Sequence, residues 1–468
     1  MKFTSFKNAR IVRSSWLEEG GRRLDCNPYM SGALEARDAL KALKVKKEPL
    51  KSLTAGHAGG IYNGPMFVRN YVDSPTYGVP FITSGTMLLA ELSTLPLLRK
   101  KDAQSSRLSY LRLKAGTTLI SCSGTIGRMV YVRADMEGMW SSQDVLKVAP
   151  DESKIPSGYL YAFLSSKFGV PLVAAGTYGA IIQHLEPEHI ANLPVPRFDD
   201  DFEYCVSGLI EKAAAQRALA SQKRRAAIAD FQKLLGWETL DLHRTFSEVS
   251  SGDVLRRMDA FHHSSKVAQG IKVLSRGSCV RLGDIVERVF EPNRGPRLKV
   301  DDAEFGVPFL SSSAVFELHP KGEYFISKSR TPHFDSLPLD SRDVLLPRSG
   351  QVGGIIGRAV LPLTGNVGHA GSEHLVRVRC RSDNDAAYIW TVLASEPGYW
   401  AVVGTAYGSS IPSLDSTLVA DISIPWFSDA DRTRIAGLSM AAVEAQSQGI
   451  VYEDQAIRMV EQRIGASE

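Results

Sequence analysis

A chain of 468 residues, 44% hydrophobic and 23% charged, has the length for two to four domains and the composition of a soluble globular protein. Its net charge of +4 is too small to define a partner by itself; no apolar run is long enough to span a bilayer, and residues 1–7 lack the apolar core of a signal peptide. Five scattered cysteines (Cys26, Cys122, Cys205, Cys279, Cys380) form neither a disulfide framework nor a metal knuckle, so a reducing cytoplasm is the expected setting.

Basic residues are clustered. Lys41, Lys44, Lys46, Lys47 and Lys51 form one run, Arg99, Lys100, Lys101, Arg107, Arg112 and Lys114 a second, and Lys223-Arg224-Arg225 a third. Separated patches on a near-neutral chain suit contact with a polyanion over part of the surface, although a solvated face is the ordinary meaning of any one of them.

In chain order, Thr118-Leu119-Ile120-Ser121, Arg128-Met129-Val130-Tyr131-Val132 and Val145-Leu146-Lys147-Val148 read as short β-branched strands separated by turns. Residues 158–166 read as a short helix lined by Leu160, Phe163 and Leu164, and Val195-Pro196 as a proline-edged strand. A long helix is predicted over 199–236. It opens on Asp199-Asp200-Asp201, continues through Phe202, Val206, Leu209, Ile210 and Ala213 at helical spacing, and stops at Gly236. At ~1.5 Å per residue it would run roughly 50 Å.

The first part of the chain is then written again. Residues from about 20 to 198 recur from about 254 to 427, with Tyr159 reappearing 229 positions later as Tyr388. Arg23-Leu24-Asp25 recurs as Arg257-Met258-Asp259, and Gly78-Val79-Pro80-Phe81 as Gly306-Val307-Pro308-Phe309. Ser123-Gly124-Thr125-Ile126-Gly127 becomes Ser349-Gly350-Gln351-Val352-Gly353, and Gly176-Thr177…Tyr178-Gly179 becomes Gly404-Thr405…Tyr407-Gly408. Leu193-Pro194-Val195-Pro196 corresponds to Ile422-Ser423-Ile424-Pro425. The second copy yields strands at 343–346, 358–361 and 374–378 and a helix over 386–395. It too ends in a long helix, opened by Ser428-Asp429-Ala430-Asp431, with Gly449 as a point of bending. Both long helices carry alanine on their apolar side, which suits close antiparallel pairing. The inserts 85–114 and 311–341 share almost nothing, as expected of modules that read different targets on a common frame.

The doubled order of strand, S-G-x-x-G, strand, short helix, G-T…Y-G, I-x-P-x-P and long helix resembles the specificity subunit of type I restriction–modification systems, over nearly the whole chain. The resemblance implies an α+β fold: two tandem similar globular target-recognition domains joined by two long helices forming an antiparallel coiled coil. The domains would be 1–198 and 237–427, with spacer helices 199–236 and 428–468. It also implies a non-catalytic chain that recognises a bipartite double-stranded DNA target. Two DNA methyltransferase subunits would dock on it, carrying S-adenosylmethionine, with or without a restriction nuclease or another phage-defence subunit. An interaction scaffold that has lost DNA reading is the alternative.

Candidate DNA contacts follow in three sets. Ser123, Thr125, Arg128, Arg348, Gln351 and Arg358 lie in or beside the glycine turns, where backbone N–H groups and side chains suit phosphate or guanine, although a turn needing positive φ also explains the glycines. Thr177, Tyr178, Gln183 and His184, with Tyr407, Ser409 and Ser410, lie in the G-T…Y-G loops; packing on the sheet is the favoured reading of the two tyrosines. Arg99, Lys100, Lys101, Arg107 and Arg112 in the first insert, and Lys328 and Arg330 in the second, form the basic set. Machinery for catalysis is not legible. Asn27-Pro28-Tyr29 lacks the second proline and the Rossmann context of an amino-methyltransferase, no phosphate-binding lysine loop occurs, and His262-His263 lacks a ligand pattern.

Overall fold

The computed structural model describes residues 12–19, 27–123, 125–175, 184–237, 240, 248–408 and 410–466. The Arg23-Leu24-Asp25 opening and loop residues 176–183 lie outside them. The chain divides into two compact units, residues 1–218 with 448–468, and residues 219–447. Both boundaries fall inside a long helix, Asp200–Leu235 or Asp429–Gly465. Each unit thus contains one α+β domain and part of each helix.

In the first unit, Thr118–Ser121 is the buried centre of an antiparallel sheet, flanked by Met129–Tyr131 and Val145–Val148, with Ile61–Tyr62 at the edge. A second sheet is built on Gly78–Ile82. Leu97–Arg99 pairs with it antiparallel, and Trp140–Ser141 lies parallel to it, Phe81 opposite Trp140. Ser157–Leu164 and Gly169–Ala175 pack beneath the first sheet, and Lys47–Pro49 clips the Pro194–Pro196 strand before the long helix begins.

The second unit has the same plan. Asp343–Pro347 and Leu375–Arg379 form its central ladder, Gly306–Leu310 pairs with Tyr324–Ser327 and runs parallel to Ala370–Gly371, and Cys279–Arg281 clips Ser423–Pro425. Two constraints recur atom for atom. The Tyr159 hydroxyl donates to the Pro196 carbonyl at 2.5 Å, and the Tyr388 hydroxyl to the Pro425 carbonyl at 2.5 Å. Gly169 and Gly398 sit where a Cβ would fall 2.2 Å from the Phe163 carbonyl oxygen and 1.9 Å from that of Val392, so only glycine lets the second helix turn back so tightly.

The structure adds one shared element to the inserts and corrects one expected strand. The inserts differ in sequence, yet both supply a strand to the G-V-P-F strand, Val79 facing Leu98 and Val307 facing Ile326. The segment 358–361 forms no strand in the second unit; Val360 makes an isolated bridge to Leu345. The extra residues at 353–357 displace the backbone that continues into a strand in the first copy.

Within each unit the long helices pair antiparallel. In the first, Asp199 meets Arg463 at 3.0 Å and Arg217 meets Glu453 at 2.7 Å; in the second, Arg224 bonds Gln446 and Asp230 pairs with Arg434. Ala213, Ala456, Ala227 and Ala436 are buried along the seam. Gly449 marks a close approach: a Cβ there would lie 3.1 Å from the Ala213 carbonyl. Asp199 and Ser428 cap the first turns, and Gly236 ends its helix with positive φ, the Trp237 N–H reaching back to the Gln232 carbonyl. No helix among the described residues is long and apolar enough to cross a membrane.

Candidate nucleic-acid interface

In each domain the strand preceding the S-G-x-x-G turn is fully buried, which fixes the turn at its end. Gly127 and Gly353 close the two turns at φ of 83° and 86°, the left-handed region that favours glycine. In the first domain the Ser121 hydroxyl donates to the Thr125 carbonyl at 2.6 Å and accepts from the Arg128 N–H at 3.1 Å, bracing the turn from below.

The turn then meets the end of the G-T…Y-G loop. Ser123 forms a backbone bridge to His184, its hydroxyl lies 3.3 Å from His184 Nδ1, and it donates to Asp144 at 3.2 Å. The second domain repeats the junction. Ser349 bridges Ser413, their hydroxyls are 2.7 Å apart, the Gly350 N–H donates to the Pro412 carbonyl, and Gln351 Nε2 donates to the Ser410 carbonyl at 3.1 Å. Two motifs, 61 residues apart in sequence in the first domain and 64 in the second, are thereby held as one surface in each domain.

A pair of arginines that the motifs did not single out completes it. Arg69 lies over the Phe81 ring at 5.7 Å and donates to Gln143 and Asp144 at 3.0 and 3.2 Å. Arg297 lies over the Phe309 ring at 4.4 Å and donates twice to Glu373, at 2.7 and 3.2 Å. Burial works against ionisation of Glu373, but the hydrogen bonds from Arg297 hold its carboxyl below the ordinary value. The signal for these arginines was available only as a position: each precedes its G-V-P-F by about the same interval, in segments that otherwise differ.

At corresponding places each domain buries a cation, Lys147 in the first and Arg377 in the second. Lys147 donates to the Ser142 carbonyl at 3.2 Å, and burial lowers its pKa to about 7. Arg377 donates to the carbonyls of Leu337, Pro338 and Gly371; burial lowers it only to about 10. Beside Lys147, burial pushes the Cys122 thiol up to about 11.

The remaining candidates are distributed as follows. Arg348 pairs with Glu291 at 2.7 Å and donates to the Tyr407 hydroxyl at 3.4 Å, and Arg358 donates to the Gly353 carbonyl. Tyr407 is not packed on the sheet as its sequence context favoured; it is 48% exposed. Thr125 and Ser410 are exposed. Arg99 is held by its own neighbour Asp102 through two bonds, Lys100 donates to the Thr76 carbonyl, Arg107 to the Met66 carbonyl, and Arg112 lies over the Trp140 ring. Lys101 is exposed. Lys328 and Arg330 line a shallow hollow of about 610 Å³ with Asp301, Asp302 and Glu304, carboxylates that offset their charge toward a polyanion. Thr177, Tyr178, Gln183 and Ser409 lie outside the described residues. Among the described residues no cluster of three His, Cys, Asp or Glu side chains could hold a metal ion.

No protein-family model matches this chain, and no curated protein does. Solved structures do. One is the crystal structure of the type I restriction–modification system S subunit from M. genitalium, at 11% identity over 91% of this chain and 96% of that one, TM-score 0.37. Another is the HsdS subunit from Thermoanaerobacter tengcongensis, at 12% identity over 90% of this chain and 97% of that one, TM-score 0.27. A third, from a study of complex assembly and conformational transition in the type I restriction–modification system, shows 13% identity over 90% of this chain and 99% of that one, TM-score 0.28. Two of these structures are of S subunits of type I restriction–modification systems, each similar to this chain over nine tenths of its length.

Proposed function

We propose that this chain is a DNA-reading subunit without a catalyst of its own, each domain contacting one half of an interrupted duplex target. Partner DNA methyltransferase subunits, two in number, supply S-adenosylmethionine and the reaction; a nuclease or another phage-defence subunit completes the assembly in some settings. The observation that carries this reading is the duplicated junction of the S-G-x-x-G turn with the end of the G-T…Y-G loop, at Ser123–His184 and again at Ser349–Ser413. Both junctions present serine hydroxyls, joined by the His184 imidazole in the first and the Gln351 amide in the second, groups of the kind that read base edges, with Arg128, Arg348 and Arg358 beside them for phosphates. The basic residues of the first insert serve as phosphate contacts, Lys101, Arg107 and Arg112 among them being exposed.

Binding of duplex DNA by the chain assembled with its methyltransferase subunits tests the reading. Between 50 and 200 mM salt, affinity is expected to fall by roughly 10³-fold or more, the loss for six or more neutralised phosphates. Affinity that is indifferent to salt contradicts it.

A further inference from the structure

We infer that the second domain reads the 5-methyl group of a thymine through Val352 and Ile411, an inference that rests on the DNA-reading function proposed above. Val352 is at the tip of the S-G-x-x-G turn and is 36% exposed; Ile411 is at the facing loop and is 66% exposed. Single exposed aliphatic residues are ordinary on protein surfaces. These two stand on tips tied to each other. The Gly350 N–H donates to the Pro412 carbonyl and Gln351 Nε2 to the Ser410 carbonyl, so the residues flanking Val352 and Ile411 are bonded together. Tyr407 is anchored on the same loop by reciprocal backbone bonds with Ser413, at 2.9 Å each. These bonds hold the backbones of the two tips together.

The neighbours identify what covers them. Gln351 and Ser410, next in the chain to Val352 and Ile411, and Tyr407 on the same loop add donors and acceptors, a mixture that matches the major-groove edge of an A·T pair: the adenine N6 donor and N7 acceptor for the Gln351 amide and the thymine methyl group for the aliphatic pair. The first domain differs at this turn. Ile126, the counterpart of Val352, packs against its own core and is half-buried. The asymmetry assigns methyl reading at the S-G-x-x-G turn to the second domain.

The assembled complex is used to select duplexes from a random pool, and the selected site is resynthesised with uracil for thymine at one position at a time. In the half-site read by the second domain, one or two substitutions are expected to weaken binding about fourfold, the worth of one buried methyl group. Ile411→Ala and Val352→Ala, surface changes that leave the tip bonds in place, should weaken binding to the thymine site and abolish the thymine–uracil difference there. The inference is overturned if that half-site contains no A·T pair, if every uracil duplex binds like its thymine parent, or if both variants keep the difference. Selection of no duplex at all overturns the DNA-reading function itself and this inference with it.

Discussion

Lys147 and Arg377 hold corresponding places in the two domains, but their surroundings treat the charge differently. Arg377 spreads it over three carbonyls through a planar fork, whereas Lys147 has the Ser142 carbonyl and the Tyr62 ring 5.9 Å away. The folded Lys147 amine therefore titrates at about 7, below its unfolded value. Because the unfolded chain binds that proton more tightly, folding is penalised most below pH 7, and the penalty fades as pH rises toward 10. Lys147→Met should raise the thermal midpoint of the first unit by several °C at pH 6, with the gain shrinking by pH 9. Melting curves at the two pH values decide; a gain independent of pH would show that the amine is not held out of water as described.

At the scale of elements, the long helices owe their register to buried polar pairs as well as to alanine. Arg217 and Glu453 cross the seam with both carboxylate oxygens engaged, at 2.9 and 2.7 Å, and Glu453 also accepts from the Tyr161 hydroxyl at 2.5 Å. The same two positions, shifted by one repeat, hold Arg224 and Gln446 in the second unit. Glu453→Ala should cost on the order of 3–5 kcal/mol, since it leaves a buried guanidinium unpaired, while Arg217→Met with Glu453→Leu should recover most of that loss. Urea denaturation measures both; a double variant as unstable as the single would mean that the pair contributes more than mutual compensation.

These helices were legible from Asp199, the alanine-bearing stripe and Gly236, because capping and 3.6-residue periodicity are local signals. The strands Leu97–Arg99 and Tyr324–Ser327 were not, because their segments are short and share almost no sequence between the two copies, so nothing local marks them as the same strand. Arg69 and Arg297 escaped notice for the same reason: what singles them out is the phenylalanine ring beneath and the acidic residue beside, both supplied by the fold. Gly449 was legible as unusual, but the Ala213 carbonyl that makes it necessary lies on the other helix.

At the scale of the whole molecule, duplication is the organising fact. Each unit has its own core, its own Tyr–Pro latch and its own junction of turn and loop, so a change at one junction leaves the other's scaffold intact. The second insert contributes Tyr324–Ser327 to its sheet, so an exchange there must preserve that strand while altering the residues around it. The direct measurement is the methylome of cells carrying this chain with the methyltransferase subunits proposed as its partners, compared with cells lacking the chain and with cells whose residues 311–341 are exchanged for another loop around the same strand. The account predicts a two-part methylated motif that requires the chain, with the exchange altering one part and sparing the other. A methylation pattern unchanged by removing the chain, or motif halves that change together when only residues 311–341 are replaced, would contradict it.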